Sequence, residues 1–107
     1  MTVLRVCYKD GVRFDHGYYQ STHTPLVLDA MGPHGLTNIE VMTIGPNPDG
    51  SRPPYQVMFS AYFDSPSALQ NAMQSPRMAE VLGDIQNYYD GMPDVMIGEL
   101  VPLPAPR

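Results

Sequence analysis

The sequence is short of cysteine, basic residues and long apolar segments, and each shortage argues against a class of protein. Its single cysteine, Cys7, cannot form an internal disulfide and favours a reducing compartment. Six basic residues against eleven acidic ones leave a formal net charge of −5, which disfavours nucleic acid or an anionic membrane as the main partner. No apolar run approaches the ~18 residues of a membrane span, and no cationic start leads into a signal-peptide stretch. We therefore expect a small acidic protein of the cytoplasm.

Recognisable cofactor motifs are also missing. The segment closest to a glycine-rich phosphate loop, residues 45–50, contains prolines and an aspartate that would repel phosphate. None of His16, His23 and His34 has an Asp or Glu at a recognised metal-ligand spacing. Cys7 lies in a predicted strand and is expected to be an unreactive core thiol. The sequence thus predicts neither a cofactor nor a metal.

Proline, by contrast, is abundant. Twelve prolines in 107 residues are about twice the ordinary ~5% usage. Many of them punctuate the chain, in a loop at residues 46–54 and at the helix starts Ser65-Pro66 and Ser75-Pro76. With 43% apolar and 16% charged residues, the chain has the composition of a globular protein. Its length predicts one domain, residues 1–101, followed by a proline-rich C-terminal tail, residues 102–107.

Apolar and β-rich runs alternate with helical patterns in the order β-α-β-β-α-β. The first helix is predicted to begin at an Asp15 N-cap, with Phe14 and Tyr19 at the spacing of a hydrophobic staple, and to end at Met31. Pro25 is the place where this helix would kink. A second helical region begins at Ser65 and again at Ser75. The predicted strands are Thr2–Lys9, Leu36–Ile44, Tyr55–Phe63 and Asp94–Val101.

This order is that of the ferredoxin-like α+β fold, in which two helices cover one face of a four-stranded antiparallel sheet. Both faces of the predicted sheet are apolar. In the third strand Val57, Phe59, Ala61 and Phe63 alternate with Met58, Ser60 and Tyr62. One layer of helices cannot cover both faces, and exposed apolar patches usually mark an interface. We therefore expect a homodimer that packs sheet against sheet with twofold symmetry.

The stretch FDHGYYQSTHTPLV, residues 14–27, resembles the EthD family pattern F-D-x-x-Y-Y-x-x-x-H-x-P-L. Residues 62–65 and 84–87 agree as well, and the likeness spans residues 3–101. At residues 88–90 this chain has Tyr-Tyr-Asp where the family more often has Phe-Thr-Asp. The resemblance implies a ferredoxin-like subunit that dimerises through its sheets into an α/β barrel, with a pocket between sheet and helices. Enzymes on this fold include cofactor-free anthrone oxidases, polyketide cyclases and muconolactone isomerases.

His23 is the strongest candidate for proton chemistry. Tyr19, four residues earlier, shares its helical face and would hold a substrate oxygen. An imidazole exchanges a proton near neutral pH, as enolisation, cyclisation and dehydration require. The alternative is that His23 binds a backbone carbonyl left free by Pro25. Asp84 interrupts an apolar helical face, so we predict that it orients the histidine, the alternative being a surface carboxylate.

The predicted substrate-binding residues are Met58, Ser60, Tyr62 and Tyr88. The first three share one strand face, and Tyr88 or Tyr89 would close over it. Seven tyrosines and eight methionines suit an adaptable apolar pocket, although methionine more often simply fills a core.

Together these features predict a cofactor-independent enzyme that acts on a small-to-medium apolar oxygenated molecule, polyketide-like or a degradation intermediate. The reaction would be cyclisation, dehydration or isomerisation, or a cofactor-free oxidation of the oxygenase type. The alternative is a non-catalytic dimer that binds or carries an apolar metabolite in support of an oxygenase pathway.

Overall fold

The computed structural model describes residues 1–106 and contains one four-stranded antiparallel sheet with helices packed on one face. Its strands lie in the order β2-β3-β1-β4. This confirms the ferredoxin-like arrangement. The last strand ends two residues earlier than predicted because its partner begins at Thr2, which pairs with Glu99. The strands are β1 (Thr2–Lys9), β2 (Leu36–Thr43), β3 (Tyr55–Phe63) and β4 (Asp94–Glu99).

The helical layer is built from several short pieces. Residues 16–31 form one continuous helical segment: α1 (His16–Tyr18), a π-helical turn (Tyr19–His23) and α2 (Thr24–Met31). A 3₁₀ turn (Gly32–His34) leads from it into β2. The second region comprises α3 (Pro66–Met73), α4 (Met78–Asp84) and a 3₁₀ turn (Ile85–Asn87).

The start of the first helical segment follows the predicted capping chemistry. The Tyr18 backbone N–H donates to Asp15 Oδ1 at 3.1 Å, which satisfies one of the free donors of the first turn. The rings of Phe14 and Tyr19 lie 4.9 Å apart and close the hydrophobic staple. These contacts fix the position of Tyr19 at the beginning of the π turn.

Pro25 explains why the helix widens at residues 19–23. Proline has no N–H to donate to the carbonyl of Ser21, four residues earlier. The Thr24 N–H, which would bond to Gln20 O in an α-helix, donates to Tyr19 O, five residues back. The Thr24 hydroxyl donates to Gln20 O at 2.9 Å. The predicted kink is therefore a π turn, a feature that is often found at functional sites. It stacks the buried rings of Tyr19 and His23, whose centroids are 5.4 Å apart.

The core between sheet and helices has two parts. The larger part is made of side chains without polar groups and places Leu4, Phe59 and Phe63 of the sheet against Val27 and Val81 of the helices. Burial of each such side chain contributes roughly 1.5–3 kcal/mol. The second part lies beside it and is aromatic. It consists of Tyr8, Tyr19, Val57, Tyr88 and Tyr89. Because these phenols carry hydroxyl groups, this part of the core needs internal hydrogen bonds.

The outer face of the sheet carries the side chains that point away from the helices. Cys7 is fully buried there, and burial, with the nearby Asp94, raises the pKa of its thiol. A protonated, buried thiol is chemically quiet. Met42 of β2 and Met96 of β4 are exposed on this face, and homodimerisation through it stays a prediction.

The rest of the described chain adds little secondary structure. Within residues 1–106, no helix is long and apolar enough to cross a membrane. Residues 100–106 are exposed and belong to no helix or strand; they include residues 102–106 of the predicted tail, and Arg107 lies outside the described residues.

Gly35 should be far less replaceable than Gly50. Both have a left-handed backbone, with φ of +81° and +86°, which costs an L residue about 1–2 kcal/mol. A Cβ on Gly35 would lie 2.9 Å from Cβ of Ala68 in α3, whereas a Cβ on Gly50 meets nothing within 4 Å. In urea unfolding, Gly35→Ala should therefore lose at least ~1 kcal/mol more than Gly50→Ala. Equal losses would contradict this close packing of α3.

Candidate active site

A cavity of about 140 Å³ lies between the sheet and the helices. Its wall is almost entirely apolar, formed by residues such as Leu4, Val6, Val27, Met78, Val81 and Val95. Among the described residues that line it, none is Asp, Glu, Lys or Arg, and the hydroxyl and imidazole groups come from Tyr8, Tyr19 and His23. A cavity of this size admits an aromatic ring. It opens beside Leu82 and Met92, which are 60% and 77% exposed, so a longer molecule can extend outward.

His23 borders this cavity and is held by two side chains. It is 3% exposed; its Nδ1 lies 2.9 Å from Asp84 Oδ2, and its Nε2 lies 3.1 Å from the Tyr88 hydroxyl. An ionised carboxylate only accepts hydrogen bonds, so the proton of a neutral His23 sits on Nδ1. Nε2 then accepts from the Tyr88 O–H. Both ring nitrogens are thus bonded to side chains. The alternative considered for the sequence, a bond from His23 to a backbone carbonyl freed by Pro25, is not what the structure has.

The Asp84 carboxylate is satisfied from several sides. Tyr18 donates its hydroxyl proton to Oδ1 at 2.5 Å, and Asn87 Nδ2 donates to the same oxygen at 2.9 Å. Burial opposes ionisation, but the hydrogen bonds from Tyr18, Asn87 and His23 outweigh it and lower the pKa of Asp84. Asp84 is therefore a carboxylate at neutral pH, placed directly behind the imidazole.

Burial has the opposite outcome at His23. Removal from water lowers the pKa of its imidazole and outweighs the attraction of the Asp84 charge. At neutral pH the pair is thus a neutral imidazole and an ionised carboxylate. A neutral imidazole beside a carboxylate is a base, and the carboxylate stabilises the imidazolium that forms when it takes a proton.

The hydrogen bonds continue beyond His23 to a second phenol. The hydroxyl oxygens of Tyr88 and Tyr8 are 2.7 Å apart, and both side chains are buried. Burial is the main reason that the pKa of each phenol is raised, so both keep their protons. We call Asp84, His23, Tyr88 and Tyr8 the polar network.

Four separate parts of the fold supply the network. Tyr8 lies near the end of β1 on the helix-facing side, and His23 ends the π turn. Asp84 is the last residue of α4, and Tyr88 follows the 3₁₀ turn. The structure therefore brings the predicted residues His23, Tyr19, Asp84 and Tyr88 together. Tyr88 lies behind His23 and is not part of the cavity wall.

Met58, Ser60 and Tyr62 lie on the other side of the sheet. The Tyr62 hydroxyl donates to Glu40 Oε2 at 3.1 Å, and the Met58 sulfur lies 3.6 Å from Arg5 Nη1. Because side chains alternate along β3, Val57 and Phe59 face the helices instead. The structure does not bring these three residues to the cavity, so their predicted substrate contacts have no geometric support there.

Two residues of the site were missed in the sequence. Tyr8 belongs to the network, and Tyr18 holds Asp84. Tyr8 could have been found from its position on the same strand face as Leu4 and Val6, because both of these residues line the cavity. Nothing local in the sequence connects Tyr18 with Asp84.

The site offers no obvious place for a metal or a phosphate-bearing cofactor. Among residues 1–106, no group of three or more His, Cys, Asp or Glu side chains is close enough to hold a metal ion. His16, the other histidine of the first helical segment, is exposed and packs on Phe14 at 4.8 Å. A phosphate in the cavity would face no cationic side chain among the residues that line it.

The protein is thus a ferredoxin-like α+β domain that carries a histidine–aspartate pair beside an apolar cavity. The EthD domain profile matches residues 12–92, and the chain belongs to the EthD family. Both stretches that carry the pair, residues 14–27 and 84–87, fall within the match. This confirms the resemblance inferred from the sequence.

Solved structures agree with this assignment. An EthD-like protein from Ralstonia eutropha is 32% identical, with a TM-score of 0.84 over 99% of this chain and 96% of its own. An ethyl tert-butyl ether D (EthD) family protein from Bacillus halodurans is 26% identical, with a TM-score of 0.77 over 94% and 99%. A Deinococcus radiodurans protein described as an antibiotic biosynthesis monooxygenase has 10% identity and a TM-score of 0.61 over 100% and 99%, and shares the fold alone. No curated protein matches the chain.

The pKa shifts of His23 and Asp84 predict that acid destabilises the protein. Both pKa values are lower in the folded state, so the unfolded state binds more protons once the pH falls below about 6.5, the ordinary value for histidine. The free energy of unfolding should be level above that pH and should decline as the pH falls through the lowered pKa of His23, then through that of Asp84. Urea unfolding between about pH 4 and 8 measures this.

His23→Gln should remove the part of the decline that begins near pH ~6.5. The matched control is His16→Gln, which removes an exposed imidazole outside the site and should leave the step assigned to His23 in place. An unchanged profile in His23→Gln would show that His23 does not titrate as its surroundings indicate.

Proposed function

We propose that this protein is a cofactor-independent enzyme that transfers a proton on a small-to-medium apolar oxygenated molecule. The observation that carries the proposal is a buried His23 held by Asp84 at the wall of an apolar cavity, where burial lowers the pKa of the imidazole. Membership of the EthD family and the shared fold of a monooxygenase-type protein support a small-molecule enzyme or binder. The substrate would be a polyketide-like molecule or a degradation intermediate.

The chemistry follows from the charge state of the pair. His23 is the base that finally holds the proton released from carbon or oxygen next to a carbonyl group, and Asp84 stabilises the resulting imidazolium. The apolar wall keeps water away, which strengthens these electrostatic interactions. Tyr19 lies at the same wall and would orient the substrate oxygen.

The enolate formed in this step can react without oxidation or with O₂. Returning the proton at another atom gives isomerisation, and loss of a leaving group or attack on a second carbonyl gives dehydration or cyclisation. An electron-rich enolate can instead reduce O₂ directly; for anthrone the balance is anthrone plus O₂ to anthraquinone plus water. Lyase, isomerase and cofactor-free oxygenase activities thus all begin with the same proton transfer.

The alternative is a non-catalytic dimer that binds or carries an apolar metabolite. The cavity favours it in one respect, since its wall is almost wholly apolar and both nitrogens of His23 already have protein partners. A carrier needs the cavity but no proton transfer. The two functions therefore differ in turnover rather than in binding.

Deuterium exchange of enolisable aromatic ketones tests the enzymatic proposal. Anthrone, 1-tetralone and 2-tetralone would be incubated with the protein in D₂O, and exchange next to the carbonyl, or at the anthrone methylene, would be followed by NMR. His23→Ala and His23→Gln should lower the exchange rate by about 10²-fold or more, a typical acid–base contribution. Their affinities for the ketones should stay within a few fold.

His16→Gln is the control and should exchange at the wild-type rate, because its imidazole is exposed and packs on Phe14. Wild-type protein that binds the ketones without accelerating exchange would contradict the enzymatic proposal and favour the carrier.

The proposed homodimer packs two sheets together through their outer faces. Met42 lies on this face opposite Met58, with the acidic Glu40 two residues away, whereas the exposed Leu28 belongs to α2 on the helical side. Light scattering after size exclusion should give twice 11.9 kDa for the wild type. Met42→Glu should give monomers because it buries an unpaired charge, while Leu28→Glu should remain dimeric. A monomeric wild type would contradict the sheet-to-sheet dimer.

A further inference from the structure

We propose that Tyr8 is the catalytic residue that exchanges the proton with the bound molecule, and that His23 acts on it through Tyr88. The inference rests on the proposed proton transfer at this site and specifies which side chain performs it. The polar network meets the cavity at two residues, His23 and Tyr8, whereas Tyr88 and Asp84 lie behind the wall. The choice between these two residues follows from their hydrogen-bonding capacity.

His23 has no free nitrogen to offer. Its Nδ1 is bound to Asp84 at 2.9 Å and its Nε2 to the Tyr88 hydroxyl at 3.1 Å. An imidazole has just these two positions for a proton or a hydrogen bond. A ligand in the cavity therefore meets the carbon edge or face of the ring, unless the bond to Tyr88 breaks.

The Tyr8 hydroxyl can form a further hydrogen bond. A phenol oxygen donates one hydrogen bond and accepts up to two; the contact with Tyr88 at 2.7 Å uses one of these, and the neighbouring Tyr19 hydroxyl donates toward the Tyr8 oxygen, which leaves one acceptor position. Tyr8 also borders the cavity beside the apolar side chains of Leu4 and Val6. Its oxygen is the part of the network that can accept a hydrogen bond from a ligand without losing an existing partner.

The direction of the hydrogen bonds makes Tyr8 an acceptor in the resting state. Neutral His23 carries its proton on Nδ1, so Tyr88 donates to Nε2, and Tyr8 donates to the Tyr88 oxygen. A proton that leaves the ligand then bonds to the Tyr8 oxygen. The former Tyr8 proton moves to the Tyr88 oxygen, and the former Tyr88 proton moves to Nε2.

Only protons move in this step, and the ligand keeps the electron pair of the bond that breaks. One ligand–hydrogen bond breaks, each phenol ends with one proton, and His23 becomes an imidazolium paired with Asp84. Reversal of the hydrogen bonds leaves the Tyr8 O–H directed at the cavity, where it returns the proton. Burial raises the pKa of both phenols, so the protons move together rather than through a free phenoxide.

Paired ligands test whether Tyr8 contacts the ligand oxygen. 2-Naphthol donates a hydrogen bond, whereas 2-methylnaphthalene has nearly the same shape and donates none. Tyr8→Phe should weaken 2-naphthol binding by about 3- to 10-fold, the effect of one hydrogen bond, and should change 2-methylnaphthalene binding by less than twofold. The control is Tyr89→Phe, which removes a buried hydroxyl that accepts from the Lys9 N–H outside the network, and it should leave both affinities unchanged.

Tyr88→Phe tests whether His23 acts through the second phenol. This change removes one hydroxyl oxygen and keeps the aromatic ring in the core, so the variant is expected to fold, which circular dichroism would check. If Tyr88 passes the proton, ketone exchange in D₂O should fall by about 10²-fold or more, as in His23→Gln, with 2-methylnaphthalene binding unchanged. If His23 acts directly, removal of the hydroxyl frees Nε2 and exchange is retained or increased, which would overturn the proposal.

The two measurements separate this inference from the proposed function. Absence of exchange in the wild type would contradict the enzymatic function, yet the paired ligands would still report on the Tyr8 contact. Equal weakening of both ligands by Tyr8→Phe, or of neither, would overturn the role of Tyr8 while leaving the enzymatic function standing.

Discussion

The hydrogen bond between His23 and Asp84 is the interaction on which the rest of the site depends. A partly buried carboxylate is tolerable only when donors satisfy its oxygens, and here Tyr18, Asn87 and His23 all do so. The bond also joins the first helical segment to the end of α4. It thereby fixes which ring nitrogen carries the proton and the direction of every hydrogen bond that follows toward β1. The hydroxyl groups of Tyr88 and Tyr8 take their orientation from it.

The same wall therefore combines two requirements that usually conflict. An apolar cavity favours ligands without charge, while proton transfer needs charge to appear and disappear beside them. Burial keeps His23 neutral at rest, and the nearby Asp84 carboxylate stabilises the charge when it forms. Because the carboxylate lies behind the imidazole rather than in the wall, an incoming apolar molecule does not have to desolvate it. For the proposed ligand, a carboxylic acid would face the charge of Asp84 with no lysine or arginine in the described cavity wall, whereas a neutral molecule would not.

Much of the fold followed from local sequence patterns, whereas part of the site did not. The positions of the strands, the Asp15 cap and the pairing of Phe14 with Tyr19 depend on neighbouring residues, so short-range reasoning found them. Alternation along β3 correctly grouped Met58, Ser60 and Tyr62, but both faces of that strand are apolar, and nothing in the strand itself says which face the helices cover. Tyr8 and Tyr88 meet only because the chain folds β1 against the segment that follows α4. Their contact is a property of the topology, not of any motif.

The π turn has a consequence for how this segment tolerates changes of length. A π turn holds one residue more than the α-helical turn it replaces. Deleting a residue between Tyr19 and His23 would thus give a regular α-helical turn and leave the helical segments before and after it in place. The number of residues between Tyr19 and His23 would fall from three to two, which changes the spacing that stacks their rings. The extra residue of the turn and the stacked pair therefore belong together, although the helix on either side would accept the shorter chain.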